Sequence, residues 1–171
     1  MNYIFSAIFL YFFLGFLLYI FQRRIVFNKS GHPGAPKDYN LDNTEEVYIK
    51  TEDNLKLLSW YHKGNNSLPL LVYFHGNSFH IGDRAYRIQK YIEKNWSVLL
   101  VSWRGFGGNE GNPTEKNLYK DAEAVLKWIK NNTEFKFKEL VIYGESLGSG
   151  AAVEMGTKYE FLSIVLEAPF T

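Results

Sequence analysis

Hydrophobic positions in this chain form one long apolar run and then a series of short runs separated by polar residues. The long run is residues 3–21, YIFSAIFLYFFLGFLLYIF, which carries no charge and is followed directly by Gln22, Arg23 and Arg24. About twenty apolar residues at about 1.5 Å each match a hydrocarbon core about 30 Å thick. Residues 1–24 are therefore predicted to form a transmembrane anchor with a basic flank.

The ends of the apolar run are those of a membrane span rather than of a cleaved signal peptide. A signal peptide would have a basic start and small residues at its end, whereas this run opens with the uncharged MNY and ends in the bulky YIF. A buried core helix, or an uncleaved anchor of another kind, is the alternative. Arg23, Arg24 and Lys29 lie on the C-terminal side, so the positive-inside rule favours a single-pass membrane protein with a cytoplasmic domain.

Short apolar runs beyond the Pro/Gly-rich stretch GHPGAPKDYN predict the strands of one sheet. Residues 25–45 are accordingly predicted to be a linker, and residues 46–171 an incomplete domain. Residues 47–50 and 55–62 are predicted to form an antiparallel hairpin. Unbroken apolar runs are typical of strands covered on both faces of a parallel sheet. The runs of this kind are residues 70–74, 98–101, 140–143 and 164–166.

Helical periodicity fills the gaps between these runs. Apolar residues recur at i, i+4, i+7 and i+11 in two segments, and the second segment begins after Pro113 and Thr114, a typical helix start. A third helix is predicted just after Ser146. The predicted core positions are Ile81, Ala85, Ile88 and Ile92, then Leu118, Ala122, Val125 and Ile129, then Leu147, Ala151 and Met155. The order β-β-β-α-β-α-β-α-β predicts an α/β fold, a mostly parallel sheet with an antiparallel start and right-handed crossovers.

Composition excludes several classes of protein. The 171 residues are 46% hydrophobic and 22% charged, which suits one globular domain beyond the anchor. The net charge of +1 leaves no basic surface for nucleic acid. The absence of cysteine excludes disulfides, thiolate zinc sites and a cysteine nucleophile. The glycine-rich stretches lack the third glycine of a dinucleotide fingerprint and the lysine of a phosphate loop, so no organic cofactor is predicted. No cluster of residues has the ligand spacing of a metal site, so no metal is predicted.

The candidate chemistry centres on Ser146 in GESLGSG, residues 144–150, directly after an apolar run. A Gly-x-Ser-x-Gly sequence between a buried strand and a helix is typical of a nucleophile elbow, a tight turn that presents the serine hydroxyl at the edge of the sheet. Gly144 and Gly148 allow the helix to approach the strand closely. An ordinary Gly/Ser loop is the alternative, but it would not explain the flanking strand and helix.

Four stretches together resemble the α/β-hydrolase fold. They are HGN at 75–77, WRGFGGNEG at 103–111, NPTEKNLYKDAEAVLKWI at 112–129 and GESLGSGAA at 144–152. More narrowly, the chain resembles the membrane-anchored serine hydrolases, a branch that includes eukaryotic α/β-hydrolase domain proteins acting on lipids and acylated proteins. The resemblance runs from the anchor to the last residue. Asn109 departs from the pattern because relatives often carry serine there, so the resemblance does not determine which residues line the cavity.

The resemblance implies a role for each motif. Ser146 would be the nucleophile of acyl transfer. The backbone N–H groups of Leu147 and Asn77 would stabilise the oxyanion, with Ser78 as the nearest competitor of Asn77. His75 would be a structural residue that shapes the turn rather than the general base.

The remaining titratable residues are not predicted to act in catalysis. The family order is Ser, then Asp or Glu, then His, whereas Asp53, Asp83 and Asp121 all precede Ser146. Asp121 is interpreted as a surface charge or a helix-packing partner. His32, His62 and His80 are interpreted in the same way, as polar residues without a catalytic role. The alternative for His80 is a place over the pocket, because its loop comes just after HGN.

No histidine follows Ser146 in the 25 residues to Thr171. A complete member of the resembling family would continue past Pro169 with at least two more strands that carry the acid and the histidine. A serine without a base is a poor nucleophile at neutral pH. The chain is therefore expected to be C-terminally truncated and inactive alone, and to expose residues 164–166 as an apolar edge strand.

Two hypotheses follow from this sequence. In the first, the chain is half of a membrane-anchored serine hydrolase, which cleaves esters or thioesters when a separately encoded C-terminal fragment supplies the acid and the histidine. In the second, it is a non-catalytic remnant or an interaction protein on the membrane. The expected partners are the lipid bilayer, the C-terminal fragment and an acyl ester or thioester, and not nucleic acid.

Overall fold

The computed structural model describes residues 2–29 and 31–170. The helices are α1 (Asn2–Val26), α2 (Ala85–Ile92), α3 (Glu115–Asn132) and α4 (Leu147–Lys158). The strands are β1 (Asn28–Lys29), β2 (Thr44–Lys50), β3 (Lys56–His62), β4 (Leu70–Phe74), β5 (Ser78–Phe79), β6 (Ser97–Val101), β7 (Leu140–Glu145) and β8 (Ser163–Glu167). Single 3₁₀ turns are formed by Pro36–Tyr39, Ile81–Arg84 and Phe137–Glu139.

Six strands form one sheet in the order β2-β3-β6-β4-β7-β8. The pairs β2–β3 and β3–β6 are antiparallel, whereas β6, β4, β7 and β8 run parallel to one another. Helices connect the parallel strands, since α2 leads to β6, α3 to β7 and α4 to β8. The predicted α/β class, the hairpin and the parallel strands are therefore confirmed.

Hydrophobic clusters cover both faces of the sheet. On one face α3 and α4 pack against Leu70, Val72 and Phe74 of β4. On the other face α2 packs against Leu71 and Tyr73 of the same strand. Successive side chains of a strand point to opposite faces, so a strand with helices on both sides must be apolar throughout. The unbroken apolar runs in the sequence have this cause.

The helices follow the predicted pattern with one difference. The Thr114 hydroxyl accepts a hydrogen bond from the Asn117 N–H at 3.2 Å and caps α3, whose four predicted core positions are all buried. The helix predicted from Ile81 to Ile92 opens with a 3₁₀ turn before α2 begins at Ala85. This tighter turn is held by Asp83, which accepts a hydrogen bond from the His80 N–H at 3.1 Å.

Among the described residues, α1 is the one helix that is long and apolar enough to cross a membrane, over Tyr3–Gln22. None of that stretch is buried against the rest of the protein. A helix that is apolar on every side needs an apolar environment around it. By length and composition α1 fits a membrane span or a signal sequence.

The segment predicted as a linker packs against the domain over part of its length. Pro33 and Pro36 are buried, and Leu41 is 2% exposed. Just before them, β1 pairs in parallel with β5 in a separate two-stranded sheet. A pair of two-residue strands has no hydrophobic period to reveal it in the sequence.

β8 lies at one edge of the main sheet. Its side chains Ile164, Val165 and Leu166 are 38%, 40% and 39% exposed, whereas β4 and β6 are buried throughout. Among the described residues, β8 pairs with β7 alone. The prediction of an exposed apolar edge strand is thus confirmed, and an edge of this kind is a template for a further strand.

Candidate active site

Ser146 lies in a strained turn between β7 and α4. Its φ of 46° and ψ of −110° are rarely adopted by residues other than glycine. Backbone hydrogen bonds hold the turn, because the Ser146 N–H donates to the Glu167 carbonyl at 2.9 Å and the Ser146 carbonyl accepts the Ser149 N–H at 2.8 Å. The serine side chain does not cap α4. A strained serine at this junction is the arrangement of a nucleophile elbow.

The glycines of the motif allow α4 to approach the sheet. A Cβ added to Gly148 would lie 2.0 Å from the Phe74 carbonyl oxygen, and a Cβ added to Gly144 would lie 2.7 Å from the Gly148 carbonyl oxygen. Both contacts are with backbone atoms, which cannot move aside like the end of a flexible side chain. Glycine is therefore required at both positions by close packing.

The HGN loop lies against the elbow. A Cβ added to Gly76 would lie only 3.4 Å from the Ser146 Cβ. Asn77 is half-buried, and Leu147, also half-buried, is the first residue of α4. Because the N-terminal end of a helix carries partial positive charge, N–H groups here suit a developing oxyanion. The structure thus brings Ser146, Leu147 and the HGN loop together.

The His75 ring is fully buried and is part of the fold. Its Nδ1 lies 2.6 Å from the Gly76 carbonyl oxygen, and its Nε2 lies 3.5 Å from the Trp103 backbone nitrogen. Since a carbonyl accepts and an N–H donates, Nδ1 carries the proton and Nε2 is the acceptor. Burial, together with the charge of Arg84, lowers the pKa of His75 to about 4. The ring is therefore neutral at pH 7.

The other three histidines of the sequence have their nearest polar groups away from the elbow, His62 is buried, and His80 Nδ1 makes no hydrogen bond within the described residues. The distances are 3.2 Å from His32 Nδ1 to the Gly34 nitrogen, 3.2 Å from His62 Nδ1 to Thr44 Oγ1, and 3.1 Å from His80 Nδ1 to Asp83 Oδ2. A general base must lie within hydrogen-bonding reach of its nucleophile. The described contacts of the four histidines are with residues other than Ser146, whereas the start of α4 and the HGN loop lie next to it.

A family comparison identifies the family to which this chain belongs. The family model described as serine aminopeptidase, S33 (Hydrolase_4), matches residues 66–171, which is more than half of the chain. The chain belongs to this family of α/β-hydrolases. The resemblance drawn from the sequence motifs is thereby confirmed.

Individual α/β-hydrolases resemble the chain over most of its length. An uncharacterised membrane protein of Saccharomyces cerevisiae is 30% identical over 90% of this chain and 56% of its own length. The lysophosphatidylserine lipase ABHD12 of Danio rerio is 28% identical over 80% of this chain and 42% of its own length. The structure of the esterase Pf2001 from Pyrococcus furiosus has a TM-score of 0.69 and 28% identity, over 83% of this chain and 58% of that chain. The chain spans about half the length of the curated relatives it matches.

Arg84 links the two halves of this α/β-hydrolase site. Its Nε and Nη2 donate to the carboxylate of Glu145, the residue before Ser146, at 3.1 and 2.7 Å. Its Nη1 donates at 2.9 Å to the carbonyl oxygen of Ser78, the residue after the HGN loop. The Tyr73 hydroxyl donates to the same carboxylate at 2.9 Å. Sequence reasoning missed this link because Arg84 and Glu145 lie on different elements and no pattern relates them.

Glu145→Gln is expected to lower the free energy of unfolding by about 2 kcal/mol at pH 7, because the buried Arg84 loses its charged acceptor. Burial acts to raise the pKa of Glu145, but the hydrogen bonds and charge of Arg84 outweigh it and lower the pKa. A lowered pKa stabilises the fold above the pH at which the unfolded carboxyl titrates, and the contribution is lost as pH falls through the folded pKa. The difference in the free energy of unfolding between wild type and variant should therefore narrow as the pH falls below the range in which an unfolded glutamate titrates.

Guanidinium unfolding of the full chain in detergent micelles, at neutral and acid pH, measures that difference. The matched control is Glu160→Gln, since Glu160 pairs with Lys138 where both side chains are more than 70% exposed. An exposed pair contributes little, so the control is expected to change stability only slightly at either pH. An equal difference for Glu145→Gln at both pH values would contradict the assigned ion pair.

A second buried ion pair holds the loop after β6. Arg104 donates through Nε and Nη2 to Asp121 Oδ1 at 2.8 and 2.6 Å, and Nη1 donates to Asp53 Oδ2 at 2.7 Å. Asp121 is 0% exposed. Of the two interpretations of Asp121, surface charge is therefore wrong, and the residue joins α3 to the loop. The hydrogen bonds from Arg104 also hold the pKa of Asp53 well below its usual range.

Asn109 fastens the same loop to β3. Its Oδ1 accepts the Leu58 N–H at 2.8 Å, and its Nδ2 donates to the carbonyl oxygens of Ser102 and Trp103, both at 3.2 Å. Asn109 lines a cleft of about 370 Å³, and Ser146 is not among the residues that line it. In this α/β-hydrolase the side chain of Asn109 therefore holds the loop after β6 against β3.

A further carboxylate lies at the end of β8. Glu167 accepts hydrogen bonds from Arg87 Nη1 at 2.5 Å and from the Tyr143 hydroxyl at 2.7 Å. The ring of Tyr143 stacks on Tyr73 with centroids 4.7 Å apart. Glu167 is thus paired with arginine, as Glu145 is. Within residues 2–29 and 31–170, no group of three or more His, Asp or Glu side chains could hold a metal ion.

Proposed function

We propose that this protein is a membrane-anchored serine hydrolase that cleaves carboxylic esters or thioesters with Ser146. The observation that carries the proposal is the strained Ser146 turn packed against the HGN loop, with Gly148 in contact with the Phe74 backbone. Ester substrates are supported by two similar proteins, the esterase of Pyrococcus furiosus and the lysophosphatidylserine lipase of Danio rerio.

The proposed reaction is acyl transfer through the serine. Ser146 Oγ attacks the acyl carbonyl carbon while its proton passes to a base, which gives a tetrahedral oxyanion. The backbone N–H groups of Leu147 and Asn77 donate to that oxygen, and one such donor contributes about 3 to 4 kcal/mol in comparable sites. Collapse of the intermediate releases the alcohol or thiol, which takes the proton from the base. Water then cleaves the acyl-enzyme by the reverse sequence and regenerates the serine.

In this proposal the acid and the histidine come from further α/β-hydrolase polypeptide that pairs with the open edge of β8. The exposed apolar side chains of β8 support such pairing. A histidine from further polypeptide is supported because the four histidines described here contact residues other than Ser146. That polypeptide is a continuation of the chain or a separately encoded C-terminal fragment. Residues 1–171 alone are then expected to be almost inactive, since a serine without its base retains little of the catalysed rate.

The proposal includes a single membrane span formed by α1, with the hydrolase domain on the cytoplasmic side. Arg23 and Arg24 follow the apolar stretch Tyr3–Gln22 directly, and basic residues at the end of a span favour the cytoplasm. The similar Saccharomyces cerevisiae protein is itself named a membrane protein. An anchor next to the domain suits substrates that carry an acyl chain.

Ser146→Ala is expected to abolish both ester hydrolysis and fluorophosphonate labelling, a loss of at least about a thousand-fold, because the nucleophile is removed. The measurement compares the full chain alone with the full chain co-expressed with the polypeptide encoded directly downstream. Turnover of p-nitrophenyl esters should appear only in the second case. The matched control is Ser67→Ala, an exposed serine in the loop before β4, which should leave turnover unchanged.

Two results would overturn the proposal. Turnover that survives Ser146→Ala would place the chemistry on another residue. If the full chain co-expressed with the downstream polypeptide (the complemented protein) neither reacts with fluorophosphonate nor hydrolyses esters, then the chain is a non-catalytic membrane protein.

A further inference from the structure

The chain enters the domain at the edge of the sheet where the elbow lies. β1 follows α1 after one residue and pairs in parallel with β5, with Asn28 opposite Ser78 and Lys29 opposite Phe79. β5 comes directly after Asn77 of the HGN loop. The first extended residues after the apolar helix are therefore hydrogen-bonded to the continuation of the loop that packs on Ser146.

The residues on either side of β1 contact the neighbouring loop on the same edge. The Phe27 ring lies edge-on to Phe106, with centroids 6.4 Å apart. A Cβ added to Gly107 would lie 3.5 Å from Pro33 Cδ, and a Cβ added to Gly108 would lie 3.4 Å from His32 Cδ2. Loops that follow parallel strands meet at the carboxyl edge of a sheet. The juxtamembrane residues 27–29 and 32–33 thus pack on two loops at the carboxyl edge.

Chain length limits how far this edge can lie from a bilayer. The apolar stretch ends at Gln22, α1 continues to Val26, and β1 begins at Asn28. Four helical residues and two extended ones span at most about 13 Å, and paired strands lie about 4.8 Å apart. The polar headgroup layer alone is about 5 to 7 Å thick on each side. The HGN loop is therefore held close to the headgroups.

Exposed aromatic side chains occur on the same edge. Phe79 is 53% exposed and has a left-handed φ of 63°, which is costly for a residue with a side chain. Phe170 is 62% exposed and its ring packs on the first turn of α4, since a Cβ added to Gly150 would lie 3.4 Å from Phe170 Cζ. Exposed aromatic rings are favourable where apolar and wet surroundings meet, at the membrane interface.

The opposite edge of the sheet has a different character. The loop before β4, residues 63–69, reads KGNNSLP, and its residues Asn65, Asn66 and Ser67 are exposed. A polar loop has no reason to enter a lipid interface. Leu162, just before β8, is 56% exposed at this edge, so the two edges differ in the polarity of the loop before β4 and in their distance from β1, which pairs at the other end of the sheet.

We infer that the carboxyl edge of the sheet docks on the bilayer surface, with Phe79 and Phe170 at headgroup level and Ser146 facing the lipid. The inference rests on the proposed membrane anchoring by α1. β1 fixes the HGN loop relative to the anchor, so a substrate acyl carbonyl reaches Ser146 from the membrane side. The partner of this surface is the lipid bilayer itself.

The experiment uses the absence of cysteine from the natural sequence. Phe79→Cys and Ser67→Cys are each labelled with an environment-sensitive fluorophore in the full chain, which is then reconstituted in liposomes containing headgroup-nitroxide lipid. Fluorescence at position 79 is expected to be quenched about two-fold or more, whereas position 67, on the polar edge, should be unaffected. Phe170→Cys provides a second probe at the docking edge should Phe79→Cys fail to fold.

Flotation of the same liposomes tests the anchoring by α1 separately from the docking of the carboxyl edge on the bilayer. A chain that floats, but whose probes at 79 and 170 are no more quenched than the probe at 67, keeps its anchor and overturns the docking edge. A chain that fails to float overturns the anchoring by α1 and the docking edge with it. Fluorophosphonate labelling of Ser146 is read separately and is not needed for either result.

Discussion

Arg104→Met is expected to lower the free energy of unfolding by about 3 to 5 kcal/mol, because it leaves a buried carboxylate without its partner. Asp121 is 0% exposed and Arg104 2% exposed, and they share two side-chain hydrogen bonds of 2.8 and 2.6 Å. Asp121 Oδ2 also accepts the Arg104 backbone N–H at 3.1 Å. This pair joins α3 to the loop after β6, so its loss should weaken the packing of α3 against that loop.

Guanidinium unfolding of the full chain in detergent micelles, followed by tryptophan fluorescence, measures the loss. The control is Arg87→Met, which removes the partly exposed pair with Glu167, at 31% and 38% side-chain exposure. Pairs of that kind contribute about 1 kcal/mol or less. Arg104→Met and Arg87→Met with equal effects would contradict the buried pair.

A double variant separates charge burial from lost packing. If an unpaired Asp121 carboxylate causes the loss, then Arg104→Met combined with Asp121→Leu should recover at least half of it, since replacing both members of a buried pair by apolar residues is often tolerated. A double variant as unstable as Arg104→Met alone would assign the loss to packing.

The Arg104 pair illustrates what the sequence could not reveal. Strands β4, β6 and β7 were predictable because cover on both faces of the sheet calls for an unbroken apolar run, and helix α3 because burial of one helix face imposes a period along the chain. Arg104 and Asp121 lie on a loop and a helix that meet only in the folded molecule. Their sequence separation follows no local rule, so Asp121 could be interpreted as surface charge with equal reason.

The candidate site likewise has one part that was predictable from the sequence and one part that was not. The elbow was predictable because a strained turn with close helix packing demands small residues at fixed positions around Ser146. The Arg84 link between Glu145 and the Ser78 carbonyl depends on the geometry of three elements, and only a folded structure could reveal it. The pairing of β1 with β5 is equally hidden, because two residues carry no period.

Gly148→Ala is expected to destabilise the protein by about 3 kcal/mol or more, because small-to-large changes in tightly packed sites cost about 1 to 3 kcal/mol and this one meets rigid backbone. The added methyl group would lie 2.0 Å from the Phe74 carbonyl oxygen and 2.6 Å from its carbonyl carbon. Either α4 moves away from β4 or the elbow opens, and both displace Ser146 from the HGN loop. Fluorophosphonate labelling of the complemented protein should therefore fall together with stability.

Gly150→Ala is the matched control, two residues further along the same helix. Its added methyl group would meet only the Phe170 ring, at the ordinary distance of 3.4 Å. Alanine is more favourable than glycine in a helix by about 1 kcal/mol, and this gain applies to both variants, so their difference isolates the steric contact. Thermal unfolding of the full chain in micelles should show Gly148→Ala well below wild type and Gly150→Ala at or above it. Equal unfolding temperatures for the two variants would mean that α4 does not rest on β4 at Gly148, and the elbow geometry assigned to Ser146 would lose its support.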